Sequence, residues 1–257
     1  MGHVRLGNLP HTRKWEQVVA LIEGGASASQ IANATISAAE QGLNLASEDQ
    51  GLVESLWLLT QLPVAARSGD FSAALQDAGL DVSDNPGLME IVGAFSDAVD
   101  DCLSNNGDRS DLGEMAQMAA TETISKTIGD RTQSLFGTTP EDVKIAFSKL
   151  ATQKQFGVFT RDFFARLTTK VLNYYLSRAL SNHVGEGERF TTLAQQSEFS
   201  NALDLHCREA SRIVEQFSGE WFSKTNWEKK RIAREDAGGF THVAMKKICS
   251  ELKEGMR

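Results

Sequence analysis

The sequence predicts an all-α protein: a multi-helix bundle of about nine to eleven helices, with two long central helices in its C-terminal half. Three observations predict this fold. The chain has only four prolines in 257 residues, and none follows Pro140. Its apolar residues recur at intervals of three and four, which is the period of a helix face. No run of alternating β-branched residues indicates a strand.

The first two helices are predicted from their ends. Thr12 can cap a helix that runs to about Glu23, where Gly24-Gly25 ends it. Ser27 can cap a second helix, which is expected to end near Gly42.

Prolines and capping residues punctuate the following segments. Ser47 and Gln50 have the spacing of a capping box, and Pro63 is expected to stop the helix that they begin. A short helix is predicted over 71–78. Asn85-Pro86 then supplies a cap and a first-turn proline for a helix that ends near residue 103.

The remaining starts predict the C-terminal helices. Ser110 begins a helix to about Ile128, and Thr139-Pro140-Glu141-Asp142 begins another, with two acids in its first turn. Gly185-Glu186-Gly187 is the predicted turn between the two long helices, and Gly238-Gly239 is expected to break the chain before a last helix. Taken over the whole chain, the apolar faces of the predicted helices predict five buried side chains: Trp57, Leu167, Val171, Leu203 and Phe217.

Charge divides the chain unevenly. Residues 1–14 carry a net charge of +3, residues 15–130 carry −16 and residues 131–257 carry +5. We therefore expect an acidic N-terminal layer over 1–137, with a basic arm, packed on a more basic layer over 138–257 within one domain. The two layers attract each other within one fold, or each faces a different partner. The total charge of −8 argues against a general affinity for nucleic acid or anionic membranes.

The basic arm at the start of the chain is predicted to dock on protein. Val4 and Leu6 share one side of an extended segment, with Arg5 on the other side, and Arg13 and Lys14 follow. Burial of the apolar pair would offset the entropy lost when the arm becomes ordered.

A cluster of carboxylates is a candidate complement to this arm. Asp97, Asp100 and Asp101 fall in the last turns of a predicted helix, where the helix dipole disfavours negative charge. They either form a solvated acidic surface or bind a basic segment.

One short constellation has the residues of a catalytic motif. Arg178-Ala-Leu-Ser-Asn-His183 resembles the active-site motif of HEPN-type ribonucleases, in which an arginine is followed by four to six residues and then a histidine, on an all-α scaffold. The resemblance implies RNA cleavage by Arg178 and His183, usually across a dimer. Ala179 departs from the family, in which this position is often polar. The alternative is a basic pair that complements the C-terminal end of a helix.

The segment 221–234 combines aromatic and basic residues. Its indole could stack on a base while the cations neutralise phosphates, or the segment could contact a protein partner. A third interpretation places Trp221 in the core and the cations on a wet face. The candidate nucleic-acid contacts are Lys224, Trp227, Lys229, Lys230, Arg231 and Arg234.

The sequence lacks the Walker A, GxGxxG, GxSxG and HExxH motifs, so no cofactor and no metal are expected. Three widely spaced cysteines without a CxxC predict a reduced, cytoplasmic setting, and no segment is apolar enough to predict a membrane span. The expected function is a non-enzymatic interaction subunit or adaptor of a larger protein assembly. One alternative is a metal-independent HEPN-like ribonuclease, or an inactive relative of one, that uses Arg178 and His183. The other is a nucleic-acid-binding subunit that uses the segment 221–234, and self-association is compatible with each.

Overall fold

A computed structural model describes residues 12–46, 48–105, 109–132 and 138–254 of the chain. Within these ranges the fold is all-α, which confirms the predicted fold class and helix number. The eleven helices are α1 (Arg13–Glu23), α2 (Ala28–Ala46), α3 (Gln50–Ala65), α4 (Phe71–Asp77), α5 (Leu88–Asn105), α6 (Asp111–Thr132), α7 (Pro140–Leu150), α8 (Gln153–Ser181), α9 (Leu193–Ala210), α10 (Arg212–Lys229) and α11 (Arg234–Glu254).

Side-chain caps fix several helix starts at the predicted residues. The hydroxyl of Thr12 accepts a hydrogen bond from the Trp15 amide, and that of Ser110 accepts one from the Gly113 amide. Thr139 forms a full capping box at the start of α7. These bonds satisfy amides that have no partner inside the helix, so the starts are encoded locally.

Several predicted boundaries are wrong. Helix α3 continues through Pro63 to Ala65, because the proline is buried and its packing in the core offsets the backbone bond that its missing N–H cannot make. Helix α5 begins at Leu88 rather than at Asn85-Pro86. Its first backbone bond joins the Ile91 amide to the carbonyl of Gly87.

The two glycines at 238–239 do not break the chain. They lie inside α11, between the buried Ala237 and Phe240, whose packing outweighs the roughly 0.5–1 kcal/mol by which a glycine weakens a helix. Similarly, Asp49 rather than Ser47 caps α3, by accepting a hydrogen bond from the Leu52 amide. Ser47 lies outside the described residues.

One continuous hydrophobic core runs from α1 to α11 and draws on both charge halves of the chain. The predicted core residues Trp57, Leu167, Val171 and Leu203 are buried in it, and Phe217 is half-buried against its edge. The helical registers that placed these side chains inside are therefore confirmed. The division into two layers remains a prediction.

The two long central helices are α8 and the rod formed by α9 and α10. Ser211 keeps a helical backbone between α9 and α10, so the rod runs from residue 193 to residue 229 with a bend. Helices α8 and α10 approach closely at two glycines. A Cβ on Gly219 would lie 2.1 Å from the carbonyl oxygen of Gln153, and one on Gly157 would lie 2.9 Å from that of Glu215.

An arginine anchors the loop between α8 and α9 to the start of the chain. The guanidinium of Arg189 donates hydrogen bonds to the carbonyls of Leu21, Ile22 and Ala26, at the end of α1. A cation at a helix C-terminus satisfies carbonyls that have no partner within the helix. Arg189 also lies over the rings of Phe190 and Phe199, so its position is fixed from two sides.

None of the helices in the described ranges combines the length and the apolar composition that a bilayer crossing requires.

Candidate interaction site at the corner between α10 and α11

The basic and aromatic segment predicted from the sequence spans the end of α10, a tight corner and the start of α11. Helix α10 ends at Lys229, and Lys230 then adopts a left-handed backbone with φ of 60°. Glycine or asparagine usually occupies this position, because a Cβ is strained there. Asp236 closes the corner by accepting a hydrogen bond from the Ala233 amide, 3.1 Å away.

An ion pair and a ring contact fasten the corner to α3. The guanidinium of Arg234 donates to both carboxylate oxygens of Glu54, at 2.5 and 2.7 Å, and lies 3.6 Å from the ring centroid of Trp57. The Trp57 indole donates to the carbonyl of Ile232 at 2.9 Å. The hydrogen bonds that Arg234 donates to the Glu54 carboxylate hold the pKa of Arg234 above its usual range. We call the set formed by Glu54, Trp57 and Arg234 the α3 latch.

A second cation of the segment is also engaged within the fold. Lys229 pairs with Asp236, and its hydrogen bond holds the pKa of that carboxyl below the usual range. Two of the predicted nucleic-acid contacts, Lys229 and Arg234, are therefore engaged in ion pairs with acids of this chain.

Four other side chains of the segment point into solvent. Trp227 is 76% exposed, and the Lys230 ammonium lies 4.7 Å from the centroid of its indole ring. Lys224 and Arg231 are exposed as well. Among the residues that the structure describes, Lys224, Lys230 and Arg231 have no ion-pair partner. We call Lys224, Trp227, Lys230 and Arg231 the Trp227 corner.

The Trp227 corner offers a flat apolar ring edged by positive charge. Glu228 is the single acid between residues 224 and 231, so the net charge of that stretch is +3. Such a surface can bury an apolar side chain on the indole and pair carboxylates or phosphates with the surrounding cations.

The Arg178 and His183 pair lies at the other end of α8. Arg178 is exposed in the last turn of the helix, and His183 follows the helix end. The side chain of His183 is mostly covered, and its Nδ1 lies 3.3 Å from a carboxylate oxygen of Glu188. The structure thus gives the histidine a carboxylate partner that the sequence motif did not include.

The predicted arm contacts are only partly described. Val4, Arg5 and Leu6 lie outside the described residues. Arg13 is exposed on α1, and the Lys14 ammonium donates to the carbonyl of Ser37 at 3.0 Å.

The proposed acidic complement lies on α5. Asp97 and Asp101 are exposed there, while Asp100 pairs with Arg109 at 2.7 Å. These contacts do not indicate whether the arm binds the cluster, so the docking of the arm stays a prediction.

Sequence reasoning did not find the α3 latch. The residue that could have indicated it is Glu54, a single acid inside the apolar run of α3, because a buried carboxylate requires a partner. The sequence around Glu54 does not show which residue that partner is, since Arg234 lies 180 positions later in the chain.

No group of three or more His, Cys, Asp or Glu residues within the described ranges is arranged to hold a metal ion. Comparisons of the chain with protein-family models, with curated proteins and with solved structures find no significant match.

Proposed function

We propose that this protein is a non-enzymatic helical interaction subunit of a larger cytoplasmic assembly, and that it binds a protein partner through the Trp227 corner. The exposure of Trp227 carries the proposal. Tryptophan is the side chain most enriched among residues that dominate binding energy, because its large ring buries much apolar area at low entropic cost. A partner that covers this indole would remove its apolar surface from water, which makes the free energy of binding more favourable.

The backbone of Lys230 supports the proposal independently. A non-glycine residue in the left-handed region costs roughly 1–2 kcal/mol, and such strain concentrates at functional positions. Glycine at this position would relieve the strain but would remove the ammonium that lies over the indole ring. The presence of lysine is therefore consistent with a role for its charge in binding.

Co-expression with the neighbouring genes tests this function. An interaction subunit should co-purify with one of their products in a stoichiometric complex. The complex should be lost or weakened at least tenfold in Trp227→Ala, as expected when a central tryptophan anchor is removed. Leu193→Ala is the matched control, because Leu193 is 73% exposed at a different helix end. Retention of the complex in Trp227→Ala would exclude the corner as the binding site.

A nucleic-acid-binding subunit is a second candidate, favoured by the same indole and its cations. An exposed aromatic ring with adjacent positive charge can stack on a base of a single strand. Three phosphate contacts predict that log K falls with log salt with a slope of about −2. Titration of a fluorescent single-stranded oligonucleotide at several salt concentrations measures that slope.

A ribonuclease remains the third candidate, based on Arg178 and His183. The contact between His183 and Glu188 favours it, because a carboxylate can orient an imidazole that transfers protons. The candidate predicts metal-independent RNA cleavage that is lost in both Arg178→Ala and His183→Ala while the helical content is unchanged. Equal cleavage by the wild type and His183→Ala would exclude it.

A further inference from the structure

We infer that the Trp227 corner recognises a short acidic segment of the partner protein, in which carboxylates flank one apolar or aromatic side chain. This inference rests on the proposed function and specifies the chemistry of the partner. It follows from the arrangement of charge around the indole, the charge of the remaining surface and the fixed position of the corner.

The cations lie on both sides of the indole along the chain. Lys224 precedes Trp227 by three residues on α10, so the two side chains lie on neighbouring positions of one helix face, about 4.5 Å apart along the axis. Lys230 follows by three residues and turns its ammonium back over the ring. An occupant that places an apolar group on the ring therefore meets a cation on either side of that group.

The charge of the rest of the molecule favours a short occupant. Residues 15–130 carry a net charge of −16 and the whole chain carries −8. A long polyanion would extend beyond the corner and meet this acidic body, which repels it. A second copy of the chain is disfavoured by the same net charge. A short acidic segment needs to contact only the corner.

The corner is also held in place before any partner binds. The α3 latch fixes the start of α11 to a buried helix, and the pair between Lys229 and Asp236 closes the turn. Binding therefore orders the side chains of the corner, while the backbone that carries them is already fixed. Such preorganisation reduces the entropy lost on binding.

A fluorescence titration tests the inference. The probe is a short synthetic peptide in which Asp and Glu flank one Phe, and the comparison peptide carries Asn and Gln in their place. Trp227 is the most exposed of the four tryptophans, so burial of its ring shifts the emission to shorter wavelength. We expect saturable binding of the acidic peptide, weaker binding at high salt and no saturation with the amide peptide.

Charge reversal locates the binding site. Lys224→Glu/Arg231→Glu should weaken binding of the acidic peptide about tenfold, because two attractive charges beside the indole become repulsive. Lys149→Glu/Lys154→Glu, at exposed positions of α7 and α8, changes the total charge by the same amount and should have less than a twofold effect. All four positions are exposed, so the variants should fold as the wild type does.

The outcomes separate the two proposals. If neither peptide binds, or if both bind equally, while Trp227→Ala still disrupts the stoichiometric complex, the acidic-segment inference is wrong and the proposed function stands. If single-stranded oligothymidylate binds at the corner and the acidic peptide does not, the inference is overturned in favour of nucleic acid. If the charge-reversal variant binds the acidic peptide as tightly as the wild type, the corner is not its site.

Discussion

Removal of the Arg234 side chain should destabilise the fold, because it leaves the buried carboxylate of Glu54 without its ion-pair partner. Glu54 has a side chain only 6% exposed, whereas that of Arg234 is 54% exposed. Breaking a fully buried ion pair costs about 3–5 kcal/mol, and an exposed pair contributes at most about 1 kcal/mol. Only one partner of this pair is buried, and the substitution also removes the contact to Trp57. We therefore expect Arg234→Ala to lower the free energy of unfolding by about 2–4 kcal/mol.

Chemical denaturation at neutral pH measures this loss in the free energy of unfolding. In thermal denaturation, each kcal/mol lost should lower the melting temperature by about 2–4 °C. Glu54→Gln in the Arg234→Ala background should recover part of the loss, because an amide has no charge to leave unpaired in the core. Lys126→Ala is the control, since its pair with Asp130 is exposed on both sides and should contribute less than about 0.5 kcal/mol. An Arg234→Ala variant within about 0.5 kcal/mol of the wild type would show that the latch does not stabilise the corner.

The remaining predictions concern backbone fit and pH. Gly219→Ala should lower the free energy of unfolding by about 1–3 kcal/mol, because the added Cβ would overlap the Gln153 carbonyl. Gly129→Ala has open space around it and should raise the free energy of unfolding by about 0.5–1 kcal/mol in the same denaturation assay. Lys230→Gly should raise the free energy of unfolding by about 1 kcal/mol by relieving the left-handed backbone; a decrease would contradict the assigned strain. Burial holds the pKa of His206 below its usual value of 6.5, so the folded state resists protonation. Stability should therefore fall as pH drops below about 6.5, and denaturation midpoints measured against pH should show a smaller fall in His206→Gln.

Local chemistry explains which helix boundaries the sequence could predict. Thr12, Ser110 and Thr139 cap helices at the predicted positions, because the hydroxyl and the amide that it satisfies lie three residues apart. Pro63 and Gly238-Gly239 misled the prediction, because packing against distant helices overrides their local preferences.

The candidate site was predictable in composition and not in geometry. The segment 221–234 stands out in the sequence through its aromatic and basic residues. Which of its cations remain available depends on Glu54, far away in the chain, and on the fold of the turn that brings Asp236 to Lys229. Likewise, the repeat of apolar residues placed Phe217 and Trp221 on the inner face and did not include Trp227, which the structure shows to point outwards.

The contact between Arg189 and α1 constrains the order in which the protein can fold during synthesis. The carbonyls of Leu21, Ile22 and Ala26 leave the ribosome 163 to 168 residues before the guanidinium that binds them. At about 5–20 residues per second, that interval is roughly ten to thirty seconds. The first helix can therefore pack on α2 early in synthesis, but the carbonyls at its C-terminal end gain their hydrogen bonds from Arg189 only after the loop that follows α8 has been made.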